Sequence, residues 1–178
     1  MYAIAKLQGE VKVPPSKFGL PVEEAVAESV SEKLEGVIDE EVGIILAVTS
    51  VEVSGEGKIL PGDPSVHYPA TFTVLTWIPR EQEVVEGEVV DITEFGAFVR
   101  IGPVDGLVHI SQVMDDFVSY DEKNSQLSGK NTKRVLKEGD AVRARIISIS
   151  LKEQNKVGLT MRQPNLGALK WLEGERNA

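Results

Sequence analysis

The sequence predicts an α+β module followed by an all-β module closed into a five-stranded barrel. Three observations predict it. Val22, Ala25, Val26, Val30 and Leu34 recur at three- and four-residue spacing, the period of an amphipathic helix. Beyond residue 80 the pattern changes to short alternating runs with glycine near the bends, the pattern of strands. Charge is uneven: residues 1–79 hold a net −7 and seven of the nine prolines, residues 80–178 a net −2. These shifts divide the chain into residues 1–80 and residues 81–178, the latter ending in a short C-terminal segment.

In the first module, Tyr2–Val13 alternates loosely and reads as a strand closed by Pro14-Pro15. Pro21 opens the helix, and Glu23, Glu24, Glu28 and Glu32 fall opposite its apolar face. Gly36 is the expected helix stop. Ile44–Val53 is rich in β-branched residues and reads as a strand. Gly55 and Gly57 make a turn, Pro61-Gly62-Asp63-Pro64 makes another, and Tyr68–Ile78 alternates as a third strand.

In the second module, strands are expected at Val84–Ile92, Phe95–Ile101, around Asp105-Gly106 and the following LVHIS, at Ala141–Ser150, and at Lys156–Arg162. Closure of five strands removes exposed edges, and Gly87, Gly96 and Gly102 allow tight bends. Asp121–Asn131 has the composition of a disordered loop, Leu151–Asn155 reads as a polar turn, and Glu173–Ala178 as a fraying end.

Composition excludes several chemistries. The chain of 178 residues has no cysteine, so it has no disulfide, thiolate metal site or cysteine nucleophile, in keeping with a reducing cytoplasm. No apolar run is long enough to span a bilayer, and MYAIAKLQGEVKV lacks the basic-then-apolar order of a signal peptide; no membrane partner is expected. A net charge of −9 argues against coating by nucleic acid through bulk charge, but leaves room for a local site. Asp39, Glu40 and Glu41 read as a solvated loop rather than a magnesium site, and isolated His67 as a surface or packed residue. No carboxylate triad of the kind that holds two metals for nucleotide addition is present, so we expect no catalytic residues, metal or cofactor.

Candidate chemistry centres on Phe95-Gly96-Ala97-Phe98. Phe95 and Phe98 are three apart, so one regular strand would point them to opposite faces, and a bulge at Gly96 would bring both outward. Outward, beside His109, they form a stacking platform for bases; inward, they fill the barrel. Arg100, Arg143, Arg145 and Lys156 are candidate phosphate contacts, or solvated surface charges.

The run GEVVDITEFGAFVRIGPVDGLVHISQV, with GDAVRARIISIS and VGLTMR, resembles the OB-fold RNA-binding domain named after ribosomal protein S-one, over about residues 82–163. The resemblance implies that Phe95, Phe98 and His109 lie on the RNA face with Lys156 at the start of the last strand. Ser150 stands where that family commonly has an acidic residue.

The segments MYAIAKL, VKVPPSKFG, EGVIDEEVGIILAV, GKILPGD, HISQVMDDFVSYD and LGALKWL extend the likeness to nearly the whole chain. Together they resemble the family of the archaeal RNA polymerase E prime subunit, the large half of the polymerase stalk. That resemblance implies a ribonucleoprotein-like fold for the first module. Its polymerase-docking loops would match Gly36–Gly43 and Pro61–Tyr68, with Pro61, Gly62 and Asp63 within the second. It also implies a heterodimer with the small F subunit, attachment to the polymerase core, contact with nascent single-stranded RNA, and promoter opening with transcription factor E. The acidic first module suits a basic polymerase surface. A free-standing RNA-binding protein of translation or RNA decay is the alternative that the barrel alone would allow.

Overall fold

The computed structural model describes residues 1–39, 41–150 and 156–176, without the side chains of Lys156, Glu175 and Arg176. The chain divides into two compact units, Met1–Ile78 and Pro79–Ala178.

The first unit runs β1 (Tyr2–Val13), α1 (Val22–Leu34), β2 (Ile38–Asp39), β3 (Gly43–Val53), β4 (Lys58–Ile59) and β5 (Val66–Trp77). Its sheet has the order β1-β5-β3-β2, with β4 also paired to β5. Glu23 and Glu24 lie in the first turn of α1 and Lys33 in the last, each complementing the helix dipole. Ala25, Val26 and Val30 bury against Val11, Val13, Ile45, Ala70, Phe72 and Val74 of the sheet. Val22, expected on that apolar face, is exposed. It opens the helix, where the chain has only just reached the sheet. Ser29 is buried on the same face and donates to the Ala25 carbonyl at 2.7 Å, which removes the cost of an unpaired hydroxyl.

The second unit contains β6 (Val84–Thr93), β7 (Gly96–Arg100), β8 (Asp105–His109), β9 (Val118–Asp121), β10 (Gln126–Gly129), β11 (Val135–Lys137), β12 (Ala141–Ser150), β13 (Lys156–Thr160), β14 (Gly167–Ala168) and α2 (Leu169–Arg176). The order β13-β8-β7-β6-β12 closes through a β12–β13 pairing, giving the expected five-stranded barrel. Val89, Ile92, Ala97, Val99, Val108, Val142, Ala144, Ile146, Val157 and Leu159 fill it. Register shifts between Val89 and Asp91 and between Ile146 and Ser148 bend the strands around this narrow core.

Three sequence expectations need correction here. The strand expected from Phe95 begins at Gly96, and the bulge beside it lies on β6 rather than at Gly96. The stretch expected to be disordered, Asp121–Asn131, forms the turn after β9 and then β10, the middle strand of a three-stranded sheet with β9 and β11. Its polar residues hold the turn: the Asp121 carboxylate accepts from the Lys123 and Asn124 backbone and from the Asn124 and Gln126 amides. Leu127 and Leu136 supply its buried apolar side chains. Of the end expected to fray, Glu173–Arg176 belong to α2, and residues 177–178 lie outside the described residues. The turn expected at Leu151–Asn155 lies outside the described residues.

Candidate nucleic-acid interface

Strands β7 and β8 pair so that Gly96, Phe98 and Arg100 stand opposite His109, Leu107 and Asp105. Period-two alternation sends Ala97, Val99 and Val108 into the barrel and this other set outward. A cleft of about 880 Å³ lies on that outer face, lined in part by Phe98, Leu107, His109, Ile147 and Gly158. Gly158 pairs with Leu107, and a Cβ there would fall 2.3 Å from Ser148 Oγ. The glycine therefore keeps the floor beside Leu107 low enough for a flat ring to approach.

The His109 Nδ1 accepts from the Ser111 backbone N–H at 3.3 Å and stands 2.8 Å from Ser111 Oγ. This fixes Nδ1 as an acceptor, so the proton of the neutral ring sits on Nε2. The cleft thus offers a half-buried aromatic ring, an imidazole donor and apolar walls. That is the chemistry of base stacking, worth ~1–3 kcal/mol per base.

The structure brings Phe98 and His109 together in the cleft, but, among the described side chains, not Phe95, Arg100, Arg143 or Arg145. Phe95 sits in the turn before β7, 54% exposed, outside the cleft lining. Arg100 is held by Asp105, with Nε to Oδ1 at 3.0 Å, and this pairing raises its pKa further above the ordinary guanidinium value. Arg143 is held by Glu86. Arg145 points out of the barrel core on β12, with its Nε buried and without a hydrogen-bond partner, and does not line the cleft. Lys156 opens β13, but its side chain lies outside the described residues. Leu107 and Ile147 were missed in the sequence, although the alternation of DGLVH marks Leu107 as outward with His109.

The two docking segments do not come together. Ile38 and Ile44 pair with each other, and Ile44 with Trp77, so Gly36–Gly43 lies at the Trp77 end of β5. Lys58 and Ile59 pair with His67 and Val66, so the Pro61 loop lies at the other end. At about 3.3 Å per residue the ends of β5 are roughly 35 Å apart. Gly36 adopts φ 81° after α1, and its N–H donates to Ile45 O. Gly43 is buried, and a Cβ there would lie 2.5 Å from Trp77 O. The Asp39 carboxylate accepts from the Glu41 and Val42 N–H groups, Val42 first in lowering its pKa; Glu40 lies outside the described residues.

Asp63 organises the Pro61 loop. Its carboxylate meets Lys12 Nζ at 2.8 Å, the Ser65 N–H at 3.0 Å and His67 Nε2 at 3.0 Å. The Lys12 ammonium above all holds this carboxyl well below the usual range. His67 Nδ1 faces Glu10 at 2.7 Å, so His67 is a packed link between β1 and the loop. Tyr68 is half-buried, against Gly57. Held in this way, the loop presents Ile59, 73% exposed, with Leu60, Pro61 and Gly62. The register Val13↔Val66 puts the Pro14–Leu20 segment at the same end of the sheet, where Phe18 and Leu20 are also exposed. The sequence signal for this end is apolar residues set directly beside Pro and Gly, in SKFGLP and KILPGD.

Comparison with known proteins follows the same two units. Residues 78–162 match the S1 RNA binding domain family. Residues 8–64 match the SHS2 domain found in the N terminus of Rpb7p/Rpc25p/MJ0397. The chain is 39% identical over 175 residues to DNA-directed RNA polymerase subunit Rpo7 of Saccharolobus shibatae, covering 97% of each chain. It is 36% identical to the Rpo7 of Sulfolobus acidocaldarius, over 98% of this chain and 97% of the relative. It is also 34% identical to Ribonuclease R of Buchnera aphidicola, but over 52% of this chain and 14% of that protein.

Proposed function

Because the chain belongs to the family of DNA-directed RNA polymerase subunit Rpo7, we propose that it is the non-catalytic stalk subunit that holds emerging single-stranded RNA beside the enzyme. It is a transcription protein of archaeal type, an α+β module followed by an OB-fold RNA-binding domain. The observation that carries the reading is the likeness running through both units in order. A free-standing RNA-binding protein would share only the barrel, and the match to Ribonuclease R spans only 52% of this chain.

Each part of the mechanism has its own support. Docking on the polymerase core is supported by the exposed Ile59, Leu60, Phe18 and Leu20 at one end of the first unit. Pairing with the small F subunit is supported by β1, which has β5 on one side and, among the described residues, no strand on the other. Tyr2 and Ile4 are exposed on that strand and offer apolar surface to a partner. Contact with nascent RNA is supported by the Phe98–His109 cleft, where stacking rather than phosphate pairing dominates. A non-catalytic role is supported by the placement of the carboxylates: Asp39, Asp63, Asp116 and Asp121 hold turns of their own chain. Promoter opening with transcription factor E, and a cytoplasmic location, rest on the resemblance of the sequence alone.

The test is a tagged pull-down from native lysate after nuclease treatment, with the bound proteins identified by mass. Recovery of the large polymerase subunits with one small helical partner is expected. Recovery of ribosomal or decay proteins with polymerase absent would overturn the assignment in favour of the free-standing RNA binder.

A further inference from the structure

Phe117 is 71% exposed and precedes β9, in the three-stranded sheet inserted between β8 and β12. It does not line the barrel cleft. Lys130 Nζ lies 6.0 Å from the centre of its ring, and the Lys130 N–H donates to the Phe117 carbonyl. The lysine is therefore tied to the aromatic through the backbone as well as the side chain.

The turn carrying Lys130 is rigidly anchored. The Asp116 carboxylate accepts from the Asn131 N–H and amide at 2.8 Å each, and from the Thr132 N–H and hydroxyl at 2.8 and 2.9 Å. Lys133 in the same turn holds φ 57°, a conformation a glycine or asparagine adopts at less cost. Residues 130–137, KNTKRVLK, hold four cations and no acid, in a chain whose net charge is −9.

The acids nearest in sequence to Phe117 are already engaged. Asp115 is held by Arg162 at 2.7 and 2.9 Å, and Asp116 accepts the donors of the turn. The Asp115 charge is met by Arg162, and the Asp116 charge that anchors the turn is outweighed by the four cations of residues 130–137. An exposed ring with the Lys130 ammonium 6.0 Å from its centre, on a turn that also carries Lys133, matches a nucleotide, whose base stacks and whose phosphate pairs. An acidic peptide would use the lysines but gain little from the ring.

We propose that Phe117, Lys130 and Lys133 form a second single-stranded RNA contact, outside the barrel cleft. The base stacks on Phe117 and the flanking phosphates meet the two ammonium groups. The proposal shares with the functional reading above only the class of ligand, and it stands or falls on different residues.

The test uses the full chain and a labelled oligouridine of about twenty nucleotides, with affinity read by fluorescence anisotropy over a salt series. Phe117→Ala is expected to weaken binding about five- to tenfold, the loss of one stacked base. Lys130→Gln with Lys133→Asn is expected to flatten the slope of log affinity against log salt by about 1.4, two single-strand phosphate contacts. In parallel, ultraviolet cross-linking to RNA carrying 4-thiouridine is expected to mark the peptide containing Phe117. Unchanged affinity and salt slope, with cross-links confined to the β7–β8 peptides, would overturn the proposal and leave the barrel cleft standing. Loss in the Phe117 variant with none in Phe98→Ala would uphold it and remove the cleft. Unchanged RNA binding with lost polymerase recovery in the Phe117 variant would overturn it in favour of a protein contact.

Discussion

Arg143 on β12 stands opposite Glu86 on β6, and its Nε and one terminal nitrogen both reach the same carboxylate oxygen, at 2.9 and 2.7 Å. Arg100 has the corresponding relationship with Asp105, its partner across β7 and β8. Both guanidinium charges are met by cross-strand carboxylates on the outer surface, while Phe98 and His109 line the open cleft. We predict that Arg143→Ala changes affinity for single-stranded RNA by less than about twofold, since Glu86 already holds its guanidinium. Phe98→Ala with His109→Ala is predicted to weaken it about five- to fiftyfold with the fold intact. Anisotropy and a thermal melt at fixed salt check both. Equal losses in the two variants would return the arginines to the RNA face, and a collapsed melting midpoint in the double variant would place its side chains in the core.

Gly96 sits where β7 starts across β8. Its φ is 149°, and a Cβ there would lie 2.0 Å from Val108 O and 3.0 Å from His109 Cα. The obstacle is backbone and cannot rotate away. Gly96→Ala is predicted to destabilise the second unit by about 2–4 kcal/mol, combining backbone strain with overpacking. Hydrogen exchange of the β6–β8 amides over a urea series measures this, and a midpoint within error of wild type would show that β7 can shift at no cost.

The barrel was legible because its strands alternate: one face must fill the core, and Val and Ile mark that face in GEVVDI and AVRARIISIS. The sheet β9–β10–β11 was not, because Leu127 and Leu136 are its fully buried side chains and its Ser, Asp, Asn and Gly residues also compose loops. Pairing of charges was hidden for a different reason. Glu86 and Arg143 are 57 residues apart, and their meeting depends on the β6–β12 register. Register also decides which loops share an end of the first sheet. Val13↔Val66 joins Phe18 to the Pro61 loop, while Ile44↔Trp77 carries Gly43 away.

Asp116 gives the second unit an acid-sensitive anchor. The Thr132 N–H first, then the other donors of the turn, holds its carboxyl well below the usual carboxylate range. A carboxylate depressed in the folded state stabilises in full above the unfolded pKa of about 4, and that stabilisation is lost as pH falls through the folded value. Asp116→Asn is therefore predicted to be less stable than wild type by a constant margin above about pH 5, with the margin closing at lower pH. Urea midpoints for both proteins between about pH 6 and about pH 2 supply the test. A margin that grows on acidification would mean that the turn is held by something other than the ionised carboxylate.

The placement of the first unit's loops makes docking a question of which end is used. Ile59 and Phe18 are exposed at the Val66 end of β5, and Val37 is exposed at the Trp77 end. All three can accept a charge without burying it, so each aspartate variant is expected to fold with a stability change within about 0.5 kcal/mol. A buried apolar contact in the assembled enzyme would respond very differently. Placing a carboxylate in a desolvated, well-packed contact costs several kcal/mol, enough to lower association by about a hundredfold. Ile59→Asp and Phe18→Asp are predicted to abolish recovery of the large polymerase subunits in the pull-down, whereas Val37→Asp retains it. Recovery lost with Val37→Asp and kept with Ile59→Asp would move the docking surface to the Gly36–Gly43 end. Loss in all three would require contacts along both ends of the sheet, and the Asp63–His67 network would then be a brace for one of two loops rather than for the single point of attachment.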